Sequence, residues 1–111
     1  MSDKVCIFAG QGAQVPGMGK DLAEDAEIGA WFARASAVLG FDLAKVCFEG
    51  PAEELTKSNI CQPAIFTVSV AAFRAFQKRC PQVAFKMAAG LSLGEWTALH
   101  VAGVLDFDSA L

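Results

Sequence analysis

Residues 83–95 read VAFKMAAGLSLGE, a short apolar run followed by a tight turn that holds two glycines and a serine. The apolar run Val83–Ala89 predicts a β-strand, and the residues after the turn predict a helix. The pattern G-x-S-x-G between a strand and a helix is typical of a nucleophile elbow, in which a strained turn exposes the serine hydroxyl. Ser92 is therefore a candidate nucleophile. The apolar face predicted for the helix consists of Trp96, Leu99 and Gly103.

Gly90 and Gly94 lie two positions before and two positions after the candidate nucleophile. In an elbow these positions approach each other closely, so a side chain on either would clash. The predicted helix begins where negative charge would develop, and its free backbone N–H groups and its dipole favour an oxyanion beside Ser92. The alternative interpretation is that Ser92 only caps the helix and that Gly90 is a turn residue.

A second glycine-rich loop follows the first predicted strand. Val5–Ala9 is a continuous apolar run that suits a buried strand, and Gly10–Gly19 contains four glycines and a proline. The loop matches neither nucleotide-binding motif, because Val15 replaces the third glycine of G-x-G-x-x-G and Gln14 replaces the first glycine of Walker A. An open α/β sheet binds ligands at the carboxyl ends of its strands, so this loop can supply a second oxyanion donor. A plain strand-to-helix connection is the alternative.

The sequence between the two predicted strands is mainly helical. Periodicity, caps and breakers predict three helices: residues 27–39 with Gly40 as terminator, Pro51–Leu55, and a long helix from a cap at Ser58 or Asn59 to Arg79, with Pro63 in its first turn. The long helix is apolar nearly all round from Ala64 to Phe73, which indicates burial on several sides. Strands separated by helices predict a parallel sheet and an α/β fold. Two strands do not form a stable sheet alone, so further strands must come from elsewhere.

Composition excludes several classes of function. The chain has 111 residues, a formal net charge of −3 and 54% hydrophobic residues, which predicts a folded protein. Lys78-Arg79 is the only adjacent basic pair, so nucleic-acid binding is not expected. The longest uncharged stretch, Ser58–Phe73, has 16 residues, which is too short for a membrane span. Met1-Ser2-Asp3-Lys4 leads directly into the first strand without a signal peptide, so we expect a cytoplasmic protein.

The cysteines and the histidine offer no metal site and no base for Ser92. The cysteines include no C-x-x-C pair, and we interpret them as buried reduced thiols, with a catalytic thiol as the alternative: Cys6, Cys47, Cys61 and Cys80. A single histidine cannot complete a usual zinc spacing. His100 lies about 12 Å along the predicted helix from Ser92 and about 80° around it, so it cannot reach the hydroxyl. We expect His100 to be a packing or surface residue.

Four short segments occur in an order typical of one enzyme family. They are Gly10-Gln11-Gly12-Ala13-Gln14, Phe48-Glu49-Gly50-Pro51, Gln62-Pro63-Ala64 and Gly90-Leu91-Ser92-Leu93-Gly94-Glu95. On these segments the chain resembles the malonyl-CoA:acyl carrier protein transacylase family, from Lys4 to Leu111. Several segments in the right order are more specific than the elbow alone. One residue departs from the pattern, since many members carry histidine immediately before the nucleophile, where this chain has Leu91.

The resemblance implies a ping-pong reaction. Ser92 takes malonyl from malonyl-CoA as an ester and passes it to the phosphopantetheine thiol of acyl carrier protein, in fatty acid synthesis. The resemblance also implies that the backbone N–H groups of Gln11 and Leu93 form the oxyanion hole, that Gln62 lines the substrate pocket, and that no cofactor or metal is needed.

The resemblance further implies an architecture. Residues 1–111 are expected to be the N-terminal segment of a parallel-sheet, α/β-hydrolase-like acyltransferase core. The family's catalytic histidine, the arginine that binds the malonyl carboxylate and a smaller ferredoxin-like subdomain are expected beyond Leu111.

Three other functions stay open. A serine hydrolase such as an esterase shares the elbow and the sheet, although the glycine–glutamine loop argues against it. An acyltransferase module of a polyketide or fatty acid megasynthase would carry the same segments, although the start at Met1 favours a stand-alone protein. The non-catalytic alternative is a fragment that only packs or binds. Because no base reaches Ser92, we expect the 111 residues alone to be inactive.

Overall fold

A computed structural model describes residues 4–111, which form two short strands and six α-helices. In chain order these elements are β1 (Val5–Phe8), α1 (Ala26–Leu39), α2 (Leu43–Glu49), α3 (Ala52–Leu55), α4 (Ser58–Arg79), β2 (Met87–Gly90), α5 (Gly94–Val101) and α6 (Phe107–Ala110). A single 3₁₀ turn at Leu22–Glu24 precedes α1. The prediction that the amino terminus carries no secretion signal rests on Met1, Ser2 and Asp3, which lie outside the described residues.

The two strands pair in parallel, as the alternation of strands and helices predicts. Val5 pairs with Met87 and Phe8 pairs with Gly90, so both strands end at the same edge of the sheet. The second strand is shorter than predicted, because Val83 donates its N–H to Cys80 O at 3.0 Å and Phe85 packs its ring 5.6 Å from Phe76. Phe85 therefore packs on α4, and the strand begins only at Met87.

Both ends of α1 are fixed by local sequence. The Asp25 carboxylate accepts a hydrogen bond from the N–H of Glu27 at 2.9 Å, which satisfies a free donor of the first turn. Gly40 ends the helix with φ 85°, a conformation in which a side chain would be strained. Ile28, Phe32 and Ala35 are the buried residues of this helix, at the spacing of one helical face. The predicted helix over 27–39 is confirmed.

The long helix α4 is the centre around which the other helices pack. Its buried residues are Ile60, Cys61, Ala64, Ile65, Phe66, Thr67, Val70 and Ala71, which confirms the predicted burial on several sides. Neither Ser58 nor Asn59 caps it, because the cap position is Lys57 and no side chain bonds to the first turn. Pro63 lies inside the helix, beyond the first turn in which it was expected.

Two short helices, α2 and α6, are absent from the sequence-based prediction. Each begins after an aspartate whose carboxylate accepts a backbone hydrogen bond three residues on, from Lys45 N to Asp42 at 3.1 Å and from Ser109 N to Asp106 at 2.7 Å. Each then buries a large apolar residue near its start, Leu43 in α2 and Phe107 in α6. Capping and one buried anchor are enough to fold these segments, although both are too short for periodicity to show.

One face of the sheet is open, which corrects the prediction of a buried first strand. Phe8 is buried and packs edge-on against Phe73 of α4 at 5.9 Å. On the opposite face, Ile7 is 75% exposed and Met87 is 60% exposed, because no helix of residues 4–111 covers them.

The apolar face predicted for α5 is also wrong. Trp96 is 50% exposed and Leu99 is 40% exposed, whereas the buried residues are Gly94, Thr97, Ala98 and His100. Gly103 lies beyond the end of the helix. The contact of Gly94 with β1, described below, sets the rotation of this helix about its axis.

Within residues 4–111 we find no helix long and apolar enough to cross a membrane.

His100 packs in the core between α1, α4 and α6. Its ring centre lies 6.2 Å from that of Trp31 and 5.8 Å from that of Phe107. Its Nε2 is 3.3 Å from Arg74 Nη2, and its Nδ1 is 3.0 Å from Leu105 O. A guanidinium has only donors, so Nε2 must accept and Nδ1–H must donate. His100 is therefore neutral and serves as a packing residue.

Burial, together with the positive charges of Arg74 and Arg34, lowers the pKa of His100 in the folded protein, and the Leu105 carbonyl and Asp106 only partly oppose this. The unfolded chain therefore takes up the proton first as the pH falls. The stabilising contribution is complete above a pH of about 6.5 and is lost as the pH falls through the folded-state pKa.

We predict that the free energy of unfolding falls more steeply in the wild type than in His100→Gln between about pH 7.5 and pH 5, because the variant has no group to protonate at this position. Urea unfolding at several pH values measures the difference. Parallel curves for the two proteins would show that folding leaves the pKa of His100 unchanged and would contradict this prediction.

Candidate functional site

The turn between β2 and α5 holds a serine in an unusual backbone conformation. Ser92 has φ 54° and is the only non-glycine residue with positive φ in the described part of the chain. Such a conformation costs on the order of 1–3 kcal/mol and persists only where neighbouring structure enforces it. The turn closes through hydrogen bonds from Gly94 N to Leu91 O and from Glu95 N to Ser92 O, each 3.0 Å. Ser92 is left exposed at the tip.

The glycines around this turn leave no space for side chains. A Cβ at Gly90 would collide with the backbone of Gly94, so the predicted close approach of these residues is present. A Cβ at Gly94 would collide with the carbonyl oxygen of Phe8 in β1, a contact that the local pattern did not indicate. Gly94 therefore allows α5 to begin directly against the neighbouring strand.

The glycine-rich loop after β1 starts beside the same turn. A Cβ at Gly10 would lie 2.5 Å from Leu91 O and 3.7 Å from Leu93 N. Leu91 N also donates to Phe8 O at 3.3 Å, which joins the end of one strand to the turn that follows the other. The parallel pairing thus places Gln11 next to Ser92, although the two residues are far apart in sequence.

Two backbone donors near Ser92 have no partner. Among residues 4–111, the N–H of Gln11 and the N–H of Leu93 donate no hydrogen bond within the protein. No side chain caps α5, so the alternative that Ser92 serves as the cap is wrong. Free N–H groups at a helix start are what an oxyanion hole requires.

A glutamine pair connects the loop to α4. Gln62 Nε2 donates to Gln11 Oε1 at 3.2 Å, and Gln11 Nε2 donates to Ser58 Oγ at 3.4 Å. Inside the loop, Gly12 N donates to Gln14 Oε1 at 2.8 Å. The side chain of Gln11 is therefore held while its backbone N–H stays free.

A cavity of about 240 Å³ contains the serine and is lined by Gln11, Gln62, Ser92, Leu93, Glu95 and Trp96. All the predicted site residues therefore meet in one cavity. Sequence reasoning assigned no site role to Glu95 or Trp96. Both lie in the first turn of the helix that begins two residues after Ser92, so their nearness to the serine could have been read from the sequence.

The buried cysteines and His100 are poorly suited to act as nucleophile or base. Burial raises the pKa of the Cys47 thiol to about 12 and also raises the pKa of Cys6 and Cys61, so these thiols stay protonated. All four cysteines are free, but Cys6 and Cys80 are only half-buried, which corrects the prediction that all are buried. The two nitrogens of His100 are occupied by Arg74 and Leu105.

Across residues 4–111, no three histidine, cysteine, aspartate or glutamate side chains lie close enough to hold a metal ion.

Solved acyltransferases share this arrangement of strands, turn and helix. An acyl carrier protein S-malonyltransferase from Vibrio cholerae superposes with a TM-score of 0.92 at 44% identity, over 98% of this chain and 36% of that one. A malonyl-transacylase in complex with a type II polyketide synthase acyl-carrier protein superposes with a TM-score of 0.91 at 44% identity, over 98% of this chain and 35% of that one. The fold is thus that of an α/β acyltransferase core.

The sequence leads to the same class. The chain belongs to the acyl transferase domain family, which it matches over residues 5–111. It is 46% identical to the malonyl CoA-acyl carrier protein transacylase of Haemophilus influenzae over 106 residues, which are 95% of this chain and 34% of that protein. The chain spans about a third of the length of the curated relatives that it matches.

Replacing Gly94 with valine should lower the free energy of unfolding by at least about 3 kcal/mol, because a Cβ collides with Phe8 O and neither backbone segment can move away. Activity should fall with stability. Thermal melting and acyl-enzyme formation measure the two effects.

Leu91→His is the matched control in the same turn, since Leu91 is 76% exposed, and it should melt like the wild type. Normal melting and activity of Gly94→Val would show that the turn is not packed against β1.

Proposed function

We propose that the protein containing this chain transfers a malonyl group from coenzyme A to the phosphopantetheine thiol of acyl carrier protein through an ester on Ser92. The observation that carries the proposal is the exposed Ser92 on a strained turn with two unpaired N–H groups beside it. Membership of the acyl transferase domain family supports it.

In the first half-reaction, Ser92 Oγ attacks the thioester carbonyl of malonyl-CoA. The new C–O bond forms first and gives a tetrahedral intermediate. Its collapse breaks the C–S bond, and coenzyme A leaves as the thiol with the proton that the Ser92 hydroxyl gave up. The N–H groups of Gln11 and Leu93 donate to the oxyanion of the tetrahedral intermediate. Each such donor contributes on the order of 3 kcal/mol to the transition state.

In the second half-reaction, the carrier protein's thiol attacks the ester carbonyl. The C–O bond to Ser92 breaks and the hydroxyl regains its proton, so malonyl leaves as a new thioester. In each half-reaction a base must take the proton from the attacking group, the Ser92 hydroxyl and then the carrier protein's thiol, and give it to the leaving group. His100 is unsuited because both its nitrogens are bonded, so we assign the base to a histidine beyond Leu111.

The charges of the cavity bear on substrate choice. Glu95 is the only charged side chain that lines it within the described residues. A carboxylate cannot attract the malonyl carboxylate, so binding requires a cation from another part of the domain. We propose an arginine beyond Leu111 for this role, because a guanidinium binds a carboxylate through two hydrogen bonds. Gln62, already bonded to Gln11, would line the pocket on the α4 side.

The wider setting belongs to the same proposal. Residues 1–111 form the N-terminal segment of the acyltransferase domain, acting in fatty acid synthesis in the cytoplasm without a cofactor. The solved complex of a malonyl-transacylase with a carrier protein supports the choice of acceptor.

Ser92→Ala should abolish acyl-enzyme formation in the complete protein, because no other nucleophile occupies the tip of the turn. Intact-mass measurement after incubation with malonyl-CoA should show the adduct in the wild type and none in the variant. Ser69→Ala on α4 is the control and should keep the adduct. An undiminished adduct on Ser92→Ala would refute the assignment. Release to water that outpaces transfer to carrier protein would instead indicate a hydrolase.

Residues 1–111 produced alone should be inactive and prone to aggregation. The open sheet face exposes Val5, Ile7 and Met87 to water. His100, the single histidine of the sequence, is held by Arg74 and Leu105 and cannot serve Ser92. Size-exclusion chromatography and a malonyl-transfer assay test both expectations, with the complete protein as the control. A soluble monomer that turns over substrate would contradict this division of the domain.

A further inference from the structure

A second cavity adjoins the one that contains Ser92. It has a volume of about 440 Å³, and its apolar side is formed by Leu39, Pro63, Phe66, Leu93 and Trp96. Polar side chains, those of Ser58, Asn59 and Ser109, line the rest together with Gln62, Ala110 and Leu111. The cavity around Ser92 is smaller, at about 240 Å³. Apart from Leu93 and Trp96, its lining residues are polar. Gln62, Leu93 and Trp96 line both cavities and therefore form the wall between them.

Trp96 is the largest side chain of this wall. It is 50% exposed. Gln62, by contrast, is bonded to Gln11, and Leu93 carries one of the free N–H groups. Trp96 contributes little to the core and lies four residues after Ser92. Its position allows the indole to limit the size of the group that binds next to Ser92.

We propose that Trp96 determines the acyl length that Ser92 accepts, by closing the small cavity against the apolar one. The proposal rests on the function proposed above and names the substrate class of that site: a short acyl group remains in the small cavity, and longer alkanoyl chains are excluded. Removal of the indole would join the cavities, and the carbons beyond the ester would then lie against Leu39, Pro63 and Phe66.

The chemistry of a long-chain substrate is the same as that of a short one. Ser92 Oγ forms an ester with the acyl carbon, and the bond to the leaving thiol or phenol breaks. Only the distal methylenes distinguish the substrates, and each methylene that gains or loses an apolar contact changes the rate by about tenfold or more. The ratio of the long-chain to the short-chain acylation rate therefore measures how well the wall between the cavities excludes long chains. Factors common to both substrates cancel in this ratio.

The experiment compares wild type, Trp96→Ala and Trp96→Phe in the complete protein. The rate of acyl-enzyme formation is measured with malonyl-CoA and octanoyl-CoA, and separately with p-nitrophenyl acetate and p-nitrophenyl octanoate, which need no coenzyme A recognition. We expect Trp96→Ala to raise both long-to-short ratios by at least about tenfold. Trp96→Phe retains a ring in the wall and should stay within about twofold of the wild type.

Melting temperatures accompany the rates, and if Trp96→Ala does not fold, Trp96→Leu replaces it. Unchanged ratios in a folded variant that is still acylated would overturn the inference. Higher ester ratios in a protein that malonyl-CoA does not acylate would refute the proposed function and support the inference. If neither substrate type acylates Ser92, both fall, because the inference requires Ser92 as the nucleophile.

Discussion

The close packing of the two strand ends is the constraint on which the site depends. Phe8 O receives the N–H of Leu91 and lies against the Cα of Gly94, while Gly10 packs against Leu91 O. At each of these points a methyl group would overlap backbone atoms, which cannot rotate away as a side chain can. The chain passes through this junction twice, and the contacts there hold the serine turn and the glutamine loop in one position.

This junction also explains how a strained residue can persist. A residue at φ 54° is unfavourable by itself, so Ser92 keeps it only because its neighbours leave no other path for the chain. β2 fixes the turn on one side, and α5 fixes it on the other through the bonds to Leu91 O and Ser92 O. The outcome is an exposed hydroxyl beside free N–H groups. In a regular helix or strand those N–H groups would donate to backbone carbonyls.

The exposed apolar side chains of residues 4–111 include two kinds, those of the open sheet face and Trp96. Ile7 and Met87 on the open sheet face belong to a sheet that needs further strands, in agreement with the share of its relatives that this chain spans. Trp96 is different, because it faces the cavity of Ser92 and belongs to the site itself. An exposed apolar side chain can therefore belong either to an open sheet face or to the site, and its position relative to Ser92 shows which.

The sequence alone predicts those helices and turns that depend on residues close together in the chain. The apolar spacing and Gly40 predict helix α1, the apolar middle of α4 predicts its burial, and the G-x-S-x-G pattern marks the turn at Ser92. The buried face of α5 was not predictable from the sequence. Gly94 packs under Phe8 O, and this contact rotates the helix so that the apolar residues Trp96 and Leu99 face outward. The bond from Gln62 to Gln11 spans 51 residues and exists only because α4 packs beside the loop that follows β1. Hydrophobic pattern and capping act within a few residues, whereas a site made from several loops depends on contacts that only the folded chain creates.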